Sequence, residues 1–226
     1  MEERESLNTS VIQDYLKAIY QFQEAEGNVS TTALAKHLKI APASVSGMIK
    51  KLFGMNLVDY KRYYGVVLTV TGKKIALETL RHHRLVELYL AKAMGISWDR
   101  VHPEAEKWEH VLSEELEEKM DEMLGHPVAD PHGAPIPPRR GNFHNQSKVN
   151  LAQLKRGHEG LIGGVSDEDP ELLRYLGSMG LYPNVKFSVM DVAPYEGPVT
   201  IKVGNKAHVI GQKAASHLWV KRIAEK

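Results

Sequence analysis

The sequence of 226 residues contains no cysteine. Disulfide bonds, thiolate zinc sites and cysteine nucleophiles are therefore excluded. No apolar run approaches the roughly 18 residues that a membrane-spanning helix needs. Residues 1–7 are mostly charged and lack the apolar segment of a signal peptide. These absences predict a soluble, cytoplasmic protein that makes no membrane contact.

The chain also lacks a strong overall charge, because its formal net charge is only +1. The charges are unevenly distributed along it. Residues 36–74 contain eight basic side chains and one acidic one, whereas residues 75–130 contain six basic and thirteen acidic ones. The first region is suited to phosphates and the second to cations. The length allows one large domain or two to three small ones.

The N-terminal third has the pattern of a DNA-binding module. Apolar residues recur at helical spacing over residues 8–25, and residues 33–38 and 43–53 form two further short helices around a tight turn. Two β-like runs then flank a basic, aromatic tip at residues 61–65. This order predicts a winged helix-turn-helix whose third helix enters the major groove of DNA. A three-helix packing module without a DNA role remains the alternative.

Candidate DNA contacts lie on the helix cap, the outer side of the third helix and the wing tip. Small side chains near the start of the third helix allow close approach to base edges, and the lysines supply charge for phosphates. The predicted contacts are Thr32, Ala43, Ser44, Ser46, Gly47, Lys50, Lys51, Arg62 and Tyr63.

The rest of the chain predicts two more domains, so the protein is expected to be mainly α-helical with a small β component. Residues 73–93 and 113–124 are helical, and the first of these has more apolar positions than one face requires, as a dimer interface would. Residues 127–141 are rich in proline and form a stiff connection. Short β-like runs from residue 149 onward, with one helix at 170–179, predict a small barrel. The predicted boundaries are 1–73, 74–141 and 142–226.

Residues 102–110, HPEAEKWEH, concentrate imidazoles and carboxylates. At about 100° per helical residue, His102, Glu106, Glu109 and His110 share one face, and Trp108 points the other way, toward a core. A second pair, His83 and Glu87, has i, i+4 spacing. Imidazole with carboxylate suits a divalent transition metal. A solvated helix face is the simpler reading. A metallohydrolase is a further alternative, although the sequence has no His-Glu-x-x-His motif.

Three segments carry a resemblance to a known family: HRLVE at residues 83–87, HPEAEKWEH at 102–110 and GAPIP at 133–137. Over essentially its whole length the chain resembles the diphtheria toxin repressor family of metal-dependent transcriptional regulators, including its manganese-responsive branch. The resemblance implies a winged-helix domain, a helical metal-binding and dimerisation domain, and a C-terminal SH3-like barrel. It also implies a homodimer that is not an enzyme, has no small-molecule substrate and binds a palindromic operator in double-stranded DNA.

The resemblance further implies two metal sites per chain. One comprises Asp14, Glu106, Glu109 and His110; the other comprises His83, Glu87 and His102, with Glu168 and Glu171 as ligands from the barrel. Iron-responsive relatives have Met and Cys in place of Asp14 and Glu106. Hard oxygen ligands favour Mn²⁺, with Fe²⁺ as the alternative. Lys17 stands where the manganese branch often has Glu, which argues against a closely spaced metal pair. The expected function is a Mn²⁺-activated repressor of metal-homeostasis genes, in which metal ties the DNA-binding and dimerisation domains together.

Overall fold

The computed structural model describes residues 2–27, 29–61, 65–141, 143 and 149–222. The chain divides into two compact units, which are considered one at a time. The first comprises Met1–His83, Trp108–Leu112 and Pro137–Phe143. The second comprises Arg84–Lys107, Ser113–Ile136 and His144–Lys226.

The first unit is built on a helix-turn-helix with a β-hairpin. Its elements are α1 (Glu2–Glu26), α2 (Thr31–Leu38), α3 (Pro42–Gly54), β1 (Val58–Lys61) and β2 (Gly65–Leu68), followed by the start of α4 (Val70–Lys92). The Ser30 hydroxyl caps α2 by accepting a hydrogen bond from Ala33 N at 3.0 Å. Lys39 ends α2 in the left-handed conformation, and Pro42 begins α3. These caps make the tight turn that the sequence predicts.

The core of the first unit forms where the helices and the hairpin meet. Leu16 and Ile19 of α1, Leu34 of α2, and Val45 and Leu52 of α3 are each fully buried. Burying such a side chain contributes roughly 1.5–3 kcal/mol. Strands β1 and β2 pair antiparallel, from Val58 opposite Leu68 to Lys61 opposite Gly65. The predicted winged helix-turn-helix is confirmed.

The second unit combines helices with a six-stranded sheet. It contains the end of α4, then α5 (His102–Trp108, which ends one residue into the first unit) and α6 (Glu114–Met123). The sheet domain follows with β3 (Val149–Asn150), a 3-10 turn (Leu151–Gln153), β4 (Glu159–Val165), α7 (Pro170–Ser178), β5 (Lys186–Val192), β6 (Val199–Val203), β7 (Lys206–Ile210), α8 (Gln212–Ser216) and β8 (Leu218–Arg222). The strand order is β3-β8-β4-β5-β6-β7, and all of the pairs are antiparallel.

Several details of the sequence prediction were wrong. The 3-10 turn and α8 were not predicted. Trp108 does not face a core, since it is 37% exposed. Glu117, expected in solvent, is 4% exposed. The surplus apolar residues of α4 do not form a free surface either, because Leu80, Leu85, Val86, Leu88 and Leu90 are all buried within one chain.

Within the described residues, no helix is both long and apolar enough to span a membrane.

Candidate metal centres and DNA-binding surface

The first cluster of side chains that could hold a metal ion lies in the first unit. Asp14 projects from α1, and Glu109 and His110 lie in the turn that follows α5. Each of the three offers a ligand atom, and these atoms lie within 4.8 Å of one another. Nε2 of His110 is 2.9 Å from Oδ1 of Asp14 and 3.5 Å from Oε1 of Glu109. Two carboxylates and one imidazole therefore converge on one point.

Neighbouring side chains orient these ligands. Nδ1 of His110 lies 2.7 Å from Oε1 of Gln13 and donates to it, which turns Nε2 toward the carboxylates of the cluster. Glu109 is 1% exposed, and its two oxygens face Lys17 and His83. The Lys17 ammonium donates to Oε1 at 2.6 Å. His82 also approaches this turn, with Nδ1 3.1 Å from the backbone oxygen of Glu109.

A second cluster lies in the second unit and combines Glu87 of α4, His102 of α5 and Asp167, which precedes α7. Nδ1 of His102 is 3.2 Å from Oε1 of Glu87 and 3.7 Å from Oδ2 of Asp167. Nε2 of the same ring is 3.8 Å from Oε1 of Glu106. His102 thus has carboxylates on both sides, an arrangement in which an imidazole and two or three carboxylates can hold a cation.

A third cluster, in the same unit, is fully buried and consists of Glu87, Asp130 and His132. Nδ1 of His132 is 3.7 Å from Oε2 of Glu87. Nε2 of His132 lies 2.7 Å from the backbone oxygen of Trp98 and donates to it, which turns Nδ1 toward the carboxylates. Glu87 therefore contributes one oxygen to each of the two clusters in this unit.

The loop that carries Asp130 and His132 has a defined backbone. Oδ1 of Asp130 accepts hydrogen bonds from the backbone nitrogens of His132, at 2.8 Å, and Ala134, at 2.9 Å. Arg84 donates to the carbonyl oxygen of Pro135 at 2.5 Å, and its Nε is 3.6 Å from Oδ2 of Asp130. The proline-rich segment is therefore an ordered loop that positions residues of the third cluster, as well as a connection.

Burial and mutual charge shift the pKa values in the third cluster. Loss of solvent, together with the negative charge of Glu87, raises the pKa of Asp130 to about 7. Burial by itself would lower the pKa of His132, but its interaction with Glu87 and the charge of Asp130 outweigh that effect and raise the pKa to about 9. Both shifts favour the protonated forms, so this dry interior favours bound positive charge, either as protons or as a cation.

The predicted ligands are divided between the units. Asp14, Glu109 and His110 come together, as do Glu87 and His102. Glu106 belongs to the second unit and His83 to the first. The sequence predicted one helical face for four of these residues, His102, Glu106, Glu109 and His110. They do not share a helical face, because α5 ends at Trp108 and the chain turns before α6 begins at its Ser113 cap.

The structure brings Asp167, and neither of the two predicted barrel ligands, next to His102. Glu168 and Glu171 are exposed and line a surface groove with Leu172 and Tyr175, and Asp167 is the residue beside His102. Asp130, His132 and Asp167 were not predicted at all. The sequence did contain a signal for two of them, because Asp130 and His132 form an Asp-x-His pair directly before the GAPIP segment.

The candidate DNA-binding residues that the structure describes are on the surface. Thr32 of α2 and the six predicted residues of α3 are exposed, while Val45, Ile49 and Leu52 of α3 are buried. The hydroxyl of Ser46 donates to the carbonyl oxygen of Pro42 at 3.0 Å. Arg62 and Tyr63 lie outside the described residues. Helix α3 thus presents an outer side of small and basic residues.

Family models match three consecutive parts of the chain. The N-terminal DNA binding domain of iron dependent repressors matches residues 8–66, their metal binding and dimerisation domain matches residues 69–138, and the FeoA domain matches residues 149–222. A solved manganese-dependent transcriptional repressor, in complex with manganese, is 35% identical with a TM-score of 0.87, and the match covers 94% of this chain and all of that one. The chain belongs to the diphtheria toxin repressor family.

Two further members of the diphtheria toxin repressor family match at lower identity than this manganese-bound structure. The iron-dependent repressor IdeR of Mycobacterium leprae is 27% identical over 92% of this chain and 96% of its own length. The structure of the manganese regulator SloR is 27% identical, with a TM-score of 0.77 over 93% of this chain and 98% of that one. The resemblance read from the sequence is confirmed. The protein is a metal-dependent, DNA-binding transcriptional repressor with a dimerisation domain and a C-terminal FeoA domain.

Proposed function

We propose that this repressor is activated by Mn²⁺ and regulates genes of metal-ion homeostasis. The observation that carries the proposal is the convergence of Asp14, Glu109 and His110, whose ligand atoms lie within 4.8 Å of one another. These donors are carboxylate oxygen and imidazole nitrogen, and the chain has no cysteine to supply a thiolate. Oxygen-rich donor sets suit Mn²⁺ better than softer ions. The manganese-bound relative at 35% identity supports the same metal.

The residues fit a metal ion in ways that an ordinary ion pair does not require. Glu109 is buried, the ring of its neighbour His110 is oriented by the hydrogen bond to Gln13, and Asp14 approaches the same point from α1. When bound, a divalent ion would supply one positive centre shared by these donors. Asp14 lies on the helix that opens the DNA-binding module, so its ligation constrains that module. By linkage, DNA and metal then increase each other's affinity by the same factor.

We also propose metal binding in the second unit. Glu87, with His102 and Asp167 on one side and Asp130 and His132 on the other, forms its centre. The buried Glu87–Asp130–His132 cluster combines two carboxyl groups with one imidazole, a donor set that suits a divalent cation. The participation of His83, Glu106, Glu168 and Glu171 in metal binding stays a prediction from the sequence.

The DNA contacts are proposed on the outer side of α3. The exposed small residues at its start allow approach to base edges, and Lys50 and Lys51 are placed for phosphates. In a two-fold dimer, two such helices would read a palindromic operator with half-sites roughly 34 Å apart. DNA binding places the protein with the chromosome in the cytoplasm.

The dimer surface is proposed on α6 and the loop after it. Leu116 is 53%, Met123 63% and Val128 81% exposed in the single chain. Leu116 and Met123 are seven residues apart on α6 and so share one helical face, and exposed apolar side chains on such a face are typical of an interface between copies. All three fall within the matched dimerisation domain. This surface replaces α4 as the proposed interface.

Electrophoretic mobility shifts across a metal series test the proposal. The DNA would be a palindromic operator selected from a random pool with the Mn²⁺-loaded protein. Wild type should bind with Mn²⁺, and Asp14→Ala and His110→Ala should lose metal-dependent binding while remaining folded dimers. Glu104→Ala, which removes an exposed carboxylate paired with Lys107, is the matched control. Operator binding by Asp14→Ala equal to that of wild type would refute the site. Stronger activation of operator binding by Fe²⁺ than by Mn²⁺ would show that the repressor responds to iron.

A further inference from the structure

Lys17 is a buried lysine at the first metal cluster. Its side chain is 9% exposed, and its ammonium lies 2.6 Å from Oε1 of Glu109. The same oxygen is 3.5 Å from Nε2 of His110. One carboxylate oxygen therefore faces both a fixed positive charge and a candidate metal ligand.

The ammonium balances a charge that would otherwise be costly. A carboxylate and an ammonium are each unfavourable in a protein interior unless they are paired with good geometry. Glu109 is fully enclosed, and Lys17 satisfies one of its oxygens while His83 faces the other. In the protein without metal, Lys17 thus pairs with a carboxylate that metal binding would also use.

We propose that the ammonium of Lys17 competes with the divalent metal ion for Glu109 and so raises the metal concentration at which the repressor responds. This inference rests on the proposed role of Asp14, Glu109 and His110 as metal ligands. Two cations that share one buried carboxylate repel each other strongly, because the effective dielectric constant there is far below that of water. Metal must displace the ammonium from Oε1 or bind beside it, and either path weakens metal binding.

A purely positioning role for Lys17 makes the opposite prediction. If the ammonium served only to hold Glu109 in the geometry that metal needs, removing it would loosen the ligand and weaken metal binding. The sign of the change in affinity therefore separates competition from positioning.

The test uses full-length protein and Mn²⁺ alone, measured by isothermal titration calorimetry. The binding component that disappears in His110→Ala identifies the first cluster. Lys17→Met keeps the length of the side chain without its charge, and Lys17→Arg keeps the charge. We expect Lys17→Met to bind Mn²⁺ at this cluster at least roughly tenfold more tightly than wild type, a change of about 1.4 kcal/mol, and Lys17→Arg to stay close to wild type.

Equal or weaker Mn²⁺ binding by Lys17→Met would overturn competition. If His110→Ala kept every Mn²⁺-binding component of wild type, the proposed metal site itself would be overturned. The two failures are therefore distinguishable. If the metal-free Lys17→Met protein is unstable, the rise in melting temperature on addition of Mn²⁺ gives a second measurement, made also on Lys17→Gln. Competition requires this rise to be larger in both variants than in wild type, and a smaller rise would contradict it.

Discussion

Replacing Gly133 by alanine should displace the loop that carries Asp130 and His132 without altering either side chain. Gly133 has a φ of +88°, and a Cβ atom there would lie 2.3 Å from the carbonyl oxygen of Gly163 and 2.8 Å from Cα of Gly164. Both neighbours are backbone atoms of β4, so no side chain can move aside. The loop is fixed to the same strand by a hydrogen bond from Val165 N to the carbonyl oxygen of His132, at 2.9 Å.

The expected cost has two parts. A residue with a side chain in the left-handed region costs about 1 kcal/mol or more, and forcing a methyl group into packed backbone adds about 1–3 kcal/mol. The free energy of unfolding should therefore fall by about 2–4 kcal/mol, which lowers the melting temperature by roughly 5–15 °C for a chain of this length. Mn²⁺ binding by the Glu87–Asp130–His132 cluster should weaken as well.

Gly125→Ala is the matched control. Gly125 also has a positive φ, +75°, but a Cβ atom there would meet nothing within 4 Å. Only the backbone strain remains, so the expected fall in melting temperature is about 2–4 °C. Thermal denaturation followed by circular dichroism, with calorimetric Mn²⁺ titration, measures both effects. Equal losses of stability in the two variants would refute the packing argument for Gly133.

Three further results are expected. Lys50→Ala should weaken binding to operator and random DNA alike and reduce the salt-dependence slope by about 1, as measured by fluorescence anisotropy at several salt concentrations; an effect on one sequence alone would contradict a phosphate contact. Met123→Glu should shift the protein from dimer to monomer in light scattering after size exclusion, whereas an unchanged mass would exclude α6 from the interface. Hydrogen bonds from Ser97 and Arg174 hold the pKa of Asp99 below its ordinary value, despite partial loss of solvent. Ionised Asp99 therefore stabilises the fold at pH values above the ordinary pKa of aspartate. Asp99→Asn should melt at a lower temperature than wild type at pH 7, and this difference should disappear as the pH falls toward 3. A difference that does not depend on pH would contradict this.

The sequence predicts well those elements whose structure depends on residues close together in the chain. Helical spacing of apolar residues and the Ser30 cap define the helix-turn-helix, and the buried residues of α3 are the ones that its spacing indicates. The pairing of Asp14 with His110 is a contact between residues 96 positions apart, and only the family resemblance suggested it.

Other features depended on tertiary contacts that no local pattern reveals. In the segment before α7, Asp169 accepts hydrogen bonds from Glu171 N and Leu172 N and caps the helix. Asp167, two residues earlier, lies beside His102, whereas the family resemblance pointed to Glu168 and Glu171. Asp130 was hidden for a related reason, because its proline-rich surroundings indicate a linker, and only its packing on the rest of the chain makes it a buried group.

Glu87 gives the two clusters of the second unit a common member. Its Oε1 faces His102 and its Oε2 faces His132, at 3.2 and 3.7 Å. A carboxylate has a single negative charge to distribute over its two oxygens, so a cation that draws electron density at one end leaves a weaker donor at the other. If both clusters bind metal as proposed, their occupancies are consequently interdependent. A metal titration of this half of the molecule should follow a stepwise course in which the second equivalent meets a poorer ligand than the first.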